Sequence, residues 1–134
     1  MTRRLLFTFL SLALVGAGCG SSPTTPTTPT SPVTETFASI VYPQGAASQQ
    51  FVAAKSGTVT ITLGALAATG PVGLALGVTQ QSGLGCFVST VVQATAGTLA
   101  QITAPVDAGS YCVRVFDIGN LTGPAAFSVT IVRP

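Results

Sequence analysis

The stretch Ala108-Gly109-Ser110-Tyr111-Cys112-Val113-Arg114-Val115-Phe116-Asp117 decides the fold. Its first two residues are typical of a turn, and the side chains that follow alternate with a period of two. One face of the alternation is apolar and is predicted to face a core: Tyr111, Val113 and Val115. The opposite face carries Cys112, Arg114 and Phe116. The stretch therefore predicts a turn followed by a long β-strand, with Arg114 simply solvating its outer face.

Period-two alternation recurs on both sides of this strand. In residues 58–66, valine, isoleucine and leucine alternate with threonine, and in residues 72–78 apolar side chains alternate with glycine and alanine. Turn signals rich in glycine, proline and aspartate separate such stretches, and no stretch has helical periodicity. We expect an all-β domain, an antiparallel β-sandwich of about eight strands. The predicted strands cover residues 37–42, 49–53, 58–66, 72–78, 86–92, 98–103, 110–116 and 126–132.

The composition excludes several classes of function. Only 6% of the 134 residues are charged, and histidine is absent. After residue 18 the sequence contains three Lys/Arg and three Asp/Glu residues, so this part of the chain has no net charge. A neutral chain lacks the basic surface that nucleic acid binding requires, so we expect no nucleic acid partner. Without histidine the chain also lacks the commonest general base and metal ligand.

The N-terminus has the organisation of an export signal. Basic residues at Arg3 and Arg4 precede an apolar segment, Leu5 to Val15, which is too short to span a bilayer. Gly16-Ala17-Gly18-Cys19 follows and resembles the lipobox of bacterial lipoproteins. The resemblance implies that residues 1–18 are removed as a signal peptide and that the thiol of Cys19 is acylated. An ordinary secretory signal cleaved near Gly18 or Gly20, which leaves a free thiol, is the alternative.

The resemblance also implies a location. The residue after the acylated cysteine is Gly20 rather than Asp, which implies lipid anchoring to the bacterial outer membrane, facing either the periplasm or the exterior. The membrane is then a partner of the chain through its anchor on Cys19.

Residues 19–33 form a Thr/Pro-rich linker between the cysteine and the predicted domain, 34–134. The repeat SSPTTPTTPTSP at 21–32 has no apolar face to bury. Proline at every third position favours extended polyproline conformation, which would hold the domain about 40 Å from the membrane at roughly 3.1 Å per residue. A disordered tether is the alternative, and it would have the same role.

Four strand motifs together resemble the bacterial pre-peptidase C-terminal domain. They are Gly57-Thr58-Val59-Thr60-Ile61-Thr62-Leu63, Val72-Gly73-Leu74-Ala75-Leu76, the stretch from Ala108 to Phe116, and Phe127-Ser128-Val129-Thr130-Ile131. The resemblance covers about residues 37–132 and implies a jelly-roll-like β-sandwich. Members of that family flank secreted peptidases and also occur alone. Some bind calcium through acidic residues, and Gly73 stands where the family often has an acidic one.

Two cysteines lie within the predicted domain. Cys86 and Cys112 are the pair that remains when Cys19 is acylated, and an exported domain is a setting in which disulfides persist. We expect a disulfide between them, with two buried free thiols as the alternative. A catalytic thiol is disfavoured because no histidine is present to activate it.

The carboxylates of the domain are interpreted as turn residues. Asp107 precedes Ala-Gly, and Asp117 precedes Ile-Gly-Asn, and both positions are typical of aspartate that bonds the local backbone. With Asn120 they form the only weak candidate for a calcium site, and we expect neither a metal nor a cofactor. Lys55 is predicted to lie in a solvated turn. We therefore expect no catalytic residue and no enzyme activity.

The remaining expectation concerns binding. Tyr42, Phe87 and Phe116 are the candidates for exposed aromatic residues, although the residues themselves are more typical of core or edge positions. We expect a module that binds a protein, a peptide or a polysaccharide at the cell surface. The alternatives are a structural envelope lipoprotein without a ligand and an accessory domain that acts with a secreted peptidase. A pocket with convergent polar groups would favour binding, and a smooth Thr/Ser surface would favour the structural role.

Overall fold

A computed structural model describes residues 31–80 and 85–134 of the chain. The predicted signal peptide, Cys19 and most of the Thr/Pro-rich linker lie outside these residues. The two described ranges form eight strands and contain no helix, hence none that is long and apolar enough to cross a membrane. The strands are β1 Val33–Val41, β2 Ala46–Ala53, β3 Gly57–Leu66, β4 Val72–Thr79, β5 Cys86–Ala94, β6 Ile102–Val106, β7 Gly109–Phe116 and β8 Ala125–Arg133.

The strands form two four-stranded antiparallel sheets. The strand order is β1-β8-β3-β6 in the first sheet and β2-β7-β4-β5 in the second. This order is that of a jelly roll, in which the chain crosses repeatedly between two sheets packed face to face and only β4 and β5 follow each other within one sheet. The structure confirms the predicted all-β sandwich.

The core lies between the two sheets, and the period-two pattern of the sequence determines which side chains enter it. In β3, Val59, Ile61 and Leu63 are fully buried, and in β7 Val113 and Val115 are fully buried. No polar or charged residue is buried among the described residues. The predicted assignment of faces is therefore confirmed in these strands, since each buries every second residue against the opposite sheet.

Tyr111 anchors the turn that precedes β7. Its ring packs in the sandwich against Phe51 of β2, with the ring centroids 5.7 Å apart. Its hydroxyl donates a hydrogen bond to the carbonyl oxygen of Asp107 at 3.0 Å and accepts one from the backbone N–H of Asp107 at 3.1 Å. The side chain thus ties the turn to the strand that follows, as in the tyrosine corner of other β-sandwiches.

The boundaries of β6 differ from the prediction. The sequence favours a strand over 98–103, whereas β6 covers Ile102–Val106. The pairing of β3 with β8 shifts register between Leu63 and Ala65. On its other side, the backbone of Leu63 forms hydrogen bonds to a loop rather than to a strand. The backbone N–H of Leu63 donates to the side-chain oxygen of Gln101 at 2.7 Å, and its carbonyl oxygen accepts from the N–H of Gly97 at 2.9 Å. These contacts hold residues 97–101 as an irregular loop.

Candidate functional site

A disulfide joins Cys86 to Cys112, with an S–S distance of 2.04 Å. Their Cα atoms are 5.8 Å apart, within the range of about 4.4–6.8 Å that disulfides require. Cys86 begins β5 and Cys112 lies in the middle of β7, and β4 separates these two strands in the sheet. The bond therefore has to reach across β4 on the outer face of the sheet.

Gly77 of β4 makes this crossing possible. A Cβ atom placed at Gly77 would lie 2.1 Å from the carbonyl oxygen of Phe87 and 2.9 Å from the Cα atom of Val88. The backbone of β5 therefore passes directly over Gly77, at a β-bulge in the pairing of β4 with β5. Because any side chain at this position would collide with backbone, glycine allows Cys86 to approach Cys112.

A second close approach occurs at Gly73, at the other end of β4. Gly73 pairs with Phe116 of β7, and a Cβ atom placed at Gly73 would lie 2.3 Å from the Cζ atom of the Phe116 ring. The ring therefore lies flat over the glycine, in the space that a side chain would otherwise fill. Both glycines of β4 are therefore positions of close approach on this face of the sheet.

Both covered glycines lie on the outer face of the second sheet. Two adjoining depressions occupy this face. The larger, of about 550 Å³, is lined among others by Ser48, Gln50, Cys86, Phe87, Cys112 and Arg114. The smaller, of about 300 Å³, is lined by Val88, Val91, Arg114 and Phe116. Because both include Arg114, we refer to them together as the Arg114 trough.

Arg114 is the charged residue of this trough. Its register partners are Ser48 in β2 and Ala75 in β4, and its side chain is partly buried. Within residues 31–80 and 85–134 the guanidinium forms no hydrogen bond and no ion pair with another side chain or with the backbone. An arginine without an internal partner, set in a partly apolar depression, can pair with an external anion.

Other charged side chains of the described residues form ion pairs or hydrogen bonds within the protein. Arg133 Nε lies 3.6 Å from Glu35 Oε1, and its Nη1 donates to the backbone carbonyl of Val52. Asp107 accepts a hydrogen bond from the hydroxyl of Ser56 at 3.1 Å. None of these groups lies on the outer face of the second sheet, so the charge of Arg114 is not offset there.

Asp117 organises the loop that follows β7. Its Oδ1 accepts hydrogen bonds from the backbone N–H groups of Gly119 at 2.9 Å, Asn120 at 2.9 Å and Leu121 at 3.1 Å. Its Oδ2 accepts one from the backbone N–H of Gln44 at 2.8 Å, in the turn between β1 and β2. The pKa of Asp117 lies below its ordinary value, chiefly because of the Gln44 hydrogen bond; partial desolvation opposes this, and the three loop N–H groups add to it. The predicted turn role of Asp117 is confirmed.

The three candidate calcium ligands do not come together. Asp107 precedes β7 and Asp117 follows it, so they lie at opposite ends of a strand of eight residues, which spans about 27 Å. Only Asn120 is near Asp117, and its side-chain amide donates to the backbone carbonyl of Pro71 at 3.3 Å. In the part of the chain that the structure describes, no group of three or more His, Cys, Asp and Glu side chains could hold a metal ion.

The candidate aromatic residues have different environments. Phe87 is 60% exposed and lines the trough, and Tyr42, which is 58% exposed, lies in the turn after β1. Phe116 is partly buried because its ring lies over Gly73. Lys55 is exposed in the turn between β2 and β3, as predicted.

The outer face of the first sheet has a different chemistry. Threonines of adjacent strands stand in register there, as in the row formed by Thr36, Thr130 and Thr62 across β1, β8 and β3. Further threonines on this face are Thr34, Thr58, Thr60 and Thr103. We refer to this surface as the threonine face. It is uncharged and carries none of the features of the Arg114 trough.

The fold and the trough define a β-sandwich module with an open groove on one face. No protein-family model matches the chain, and no curated protein matches it. The chemistry of the two outer faces therefore has to support any functional assignment. Sequence reasoning missed the trough because Ser48, Val91 and Arg114 come from three strands that are distant in the chain. The lack of side chains at Gly73 and Gly77, opposite an outward-facing arginine, is the signal that could have indicated it.

Proposed function

We propose that this protein is a lipid-anchored module of the bacterial cell envelope that binds a protein, a peptide or a polysaccharide and catalyses no reaction. The observation that carries this proposal is the Arg114 trough. It combines a guanidinium that has no partner among the described residues, the polar side chains Ser48 and Gln50, and an apolar wall formed with Val91 and Phe116. A concave site with a few polar groups among apolar ones is typical of ligand binding.

The anchoring part of the proposal rests on the sequence. A basic start, an apolar segment and Gly16-Ala17-Gly18-Cys19 match the order of a lipoprotein signal. The Thr/Pro-rich linker, 19–33, ends where β1 begins at Val33, so the tether leads directly into the sandwich. A module on such a tether would be held at a distance from the membrane, with both outer faces accessible.

We propose that the protein has no enzyme activity because its potentially reactive groups are engaged in hydrogen bonds or in the disulfide. The sequence contains no histidine. Asp117 is surrounded by four backbone N–H groups, and Cys86 and Cys112 are oxidised to a disulfide. In the part of the chain that the structure describes, the hydrogen bonds of Asp117 come from backbone N–H groups rather than from a hydroxyl or thiol that it could activate, and the sulfur atoms of the disulfide carry no thiolate.

A relation to the pre-peptidase C-terminal domain is part of the proposal. The strand motifs that carry the resemblance correspond to β3, β4, β7 and β8, and the jelly-roll order of the two sheets supports it. A structural envelope lipoprotein without a ligand is the second candidate, and the threonine face is the observation that favours it.

The experiment compares the two outer faces. The labelled full-length protein is added to bacterial cells that lack their own copy, and retained protein is quantified by flow cytometry. A double substitution in the trough, Arg114→Ala with Val91→Ser, is expected to reduce retention at least tenfold. The matched double substitution on the threonine face, Thr36→Ala with Thr130→Ala, is expected to leave it unchanged.

Both variants change exposed or partly exposed side chains and keep the core intact, so equal thermal unfolding midpoints provide the control. Loss of retention in the threonine-face variant alone would place the interaction on the first sheet and overturn the proposal. Equal retention of all three proteins would also contradict it and favour the structural role.

A further inference from the structure

We infer that the Arg114 trough binds a carboxylate-bearing polysaccharide, with the guanidinium of Arg114 paired to a sugar carboxylate and the sugar ring packed on Phe116. This inference rests on the proposed binding function of the same trough, for which it names the class of ligand. It follows from the charge of the trough, its apolar wall, its position on the sheet and its length.

The charge of the trough selects an anion. Arg114 is the charged side chain that faces outward from the second sheet, and no carboxylate faces outward beside it among the described residues. Since the guanidinium is partly buried, it loses some hydration, and it gains no partner from residues 31–80 and 85–134 in return. A carboxylate from outside can receive two parallel N–H donors from the guanidinium, which restores its hydrogen bonds and neutralises its charge.

The apolar wall suits the C–H face of a sugar ring. Phe116, Val88 and Val91 stand around Arg114 on the side of β5. The Phe116 ring is held in place by Gly73, over which it lies, so packing a ligand on it immobilises little that was mobile before. A flat, pre-organised ring next to a guanidinium presents stacking and charge pairing to the same sugar residue.

The position of the trough disfavours a peptide. Peptides that add to a sheet obtain most of their affinity from main-chain hydrogen bonds at an unpaired edge strand. The trough lies on the outer face of the sheet, where side chains of β2, β7 and β5 line it, and its central strand β7 is paired on both sides. Hydrogen bonds to a ligand here have to come from side chains such as Ser48, and the hydroxyl groups of a sugar can use them.

The length of the trough suits a polymer. The depressions of about 550 Å³ and about 300 Å³ adjoin at Arg114 and together extend along the face from the β2 side to β5. One sugar residue at Arg114 therefore leaves room for neighbouring residues of the same chain on both sides. Ser48 stands about 4.8 Å from Arg114 in the direction across the strands, within reach of the same or the next residue.

The test uses the full-length protein in detergent and an oligomer of galacturonic acid, measured by isothermal titration calorimetry. The matched ligand is the same oligomer with its carboxyl groups reduced to alcohols. Carboxyl reduction is expected to weaken binding at least tenfold, and Arg114→Gln is expected to do the same for the acidic oligomer. Lys55→Gln removes the same charge from a turn outside the trough and is expected to change affinity less than twofold.

Two further measurements separate packing from charge. Phe116→Leu is expected to weaken binding of both oligomers, whereas raising the salt concentration is expected to weaken only binding of the acidic one. Equal unfolding midpoints of the variants show that the changes act on binding rather than on folding.

The outcomes distinguish this inference from the proposed function. Equal binding of the acidic and the reduced oligomer would overturn the carboxylate assignment. If neither oligomer binds, but retention on cells still depends on Arg114, the inference falls and the binding function stands. The inference also falls, and the binding function stands, if a peptide with a free carboxylate binds in place of the sugar. If neither oligomer binds and retention on cells is independent of the trough, both are wrong.

Discussion

Gly73 and Gly77 show at the scale of single residues how the outer face of the second sheet is shaped. Both are buried although they point outward, because the Phe116 ring covers one and the Phe87 backbone covers the other. The alternation of β4 predicts that these glycines share a face. It does not predict which groups cover them, because Phe116 lies more than forty positions further along the chain and its register on β4 is a tertiary property.

The carboxylate of Asp117 accepts hydrogen bonds from four backbone N–H groups, and its contribution to stability should depend on pH. Its folded-state pKa is lowered, so its contribution is fully present above the ordinary pKa of about 4 and is lost as the pH falls through the folded-state value. Asp117→Asn removes the charge and turns an N–H donor toward one of the four backbone donors. We expect a lower unfolding midpoint at pH 7 and a smaller fall in midpoint between pH 6 and pH 3, measured by circular dichroism.

Asp107→Asn is the matched control, since it removes the same charge at the opposite end of β7. Asp107 accepts a hydrogen bond from Ser56 rather than from a set of backbone N–H groups, so a smaller loss at pH 7 is expected. An Asp117→Asn variant whose midpoint follows that of the wild type from pH 7 to pH 3 would show that the loop does not depend on the carboxylate charge.

At the scale of elements, the strands with the cleanest alternation have bounds close to those that the sequence predicts. β3 and β7 begin and end within about one residue of the prediction. β6 was displaced, because the side chain of Gln101 occupies the hydrogen-bonding position that the strand would otherwise fill on Leu63. β1 begins at Val33, four residues before the predicted strand, because pairing with the whole of β8 extends it. Both differences come from partners distant in sequence, which local alternation does not encode.

The disulfide is the element-scale link between β5 and the centre of its sheet. It closes a loop with a sequence separation of 26 residues, for which chain entropy gives a stabilisation of roughly 3–4 kcal/mol. The double variant Cys86→Ser with Cys112→Ser is expected to lower the free energy of unfolding by about that amount in urea titrations, since without the disulfide the unfolded chain is no longer constrained. Wild-type protein measured with a reductant present should match the double variant.

Gly77→Ala tests whether the disulfide can cross β4 only when this position carries no side chain. The added methyl group meets the Phe87 carbonyl, so this variant should be less stable than the wild type and should form the disulfide more slowly during oxidative refolding. An unfolding midpoint that is unaffected by reductant would contradict the role given to the bond.

At the scale of the whole molecule, the jelly roll produces two outer faces of unlike chemistry from one simple alternation. Threonines alternate with the core residues of β3 and collect on the first sheet. The second sheet gathers Ser48, Val91 and Arg114 from β2, β5 and β7. The sandwich follows from the pattern of each strand, whereas the trough follows from the order of strands within a sheet. This is why the fold class could be predicted from the sequence and the candidate site could not.

The proposed division of the chain into a sandwich and a membrane tether leads to a prediction for the whole chain. The buried core of the described residues lies between Phe37 and Ile131, so the anchor should be independent of folding. We expect the mature wild-type protein to carry acyl groups on Cys19 by intact-mass analysis and to partition into detergent. Cys19→Ser should partition into the aqueous phase, with the same unfolding midpoint and the same affinity for the galacturonic acid oligomer.

Cys86→Ser provides the contrast, because it removes a different cysteine, should keep the acyl groups and should lose stability instead. An unmodified mature N-terminus in the wild type would show that the export signal is an ordinary secretory one. A Cys19→Ser protein with a lower unfolding midpoint would show that the segment before Val33 contributes to the fold. Either result would change how the trough is presented, because the proposed tether of about 40 Å would confine the domain to a thin layer next to the membrane and so raise its effective concentration toward surface polymers.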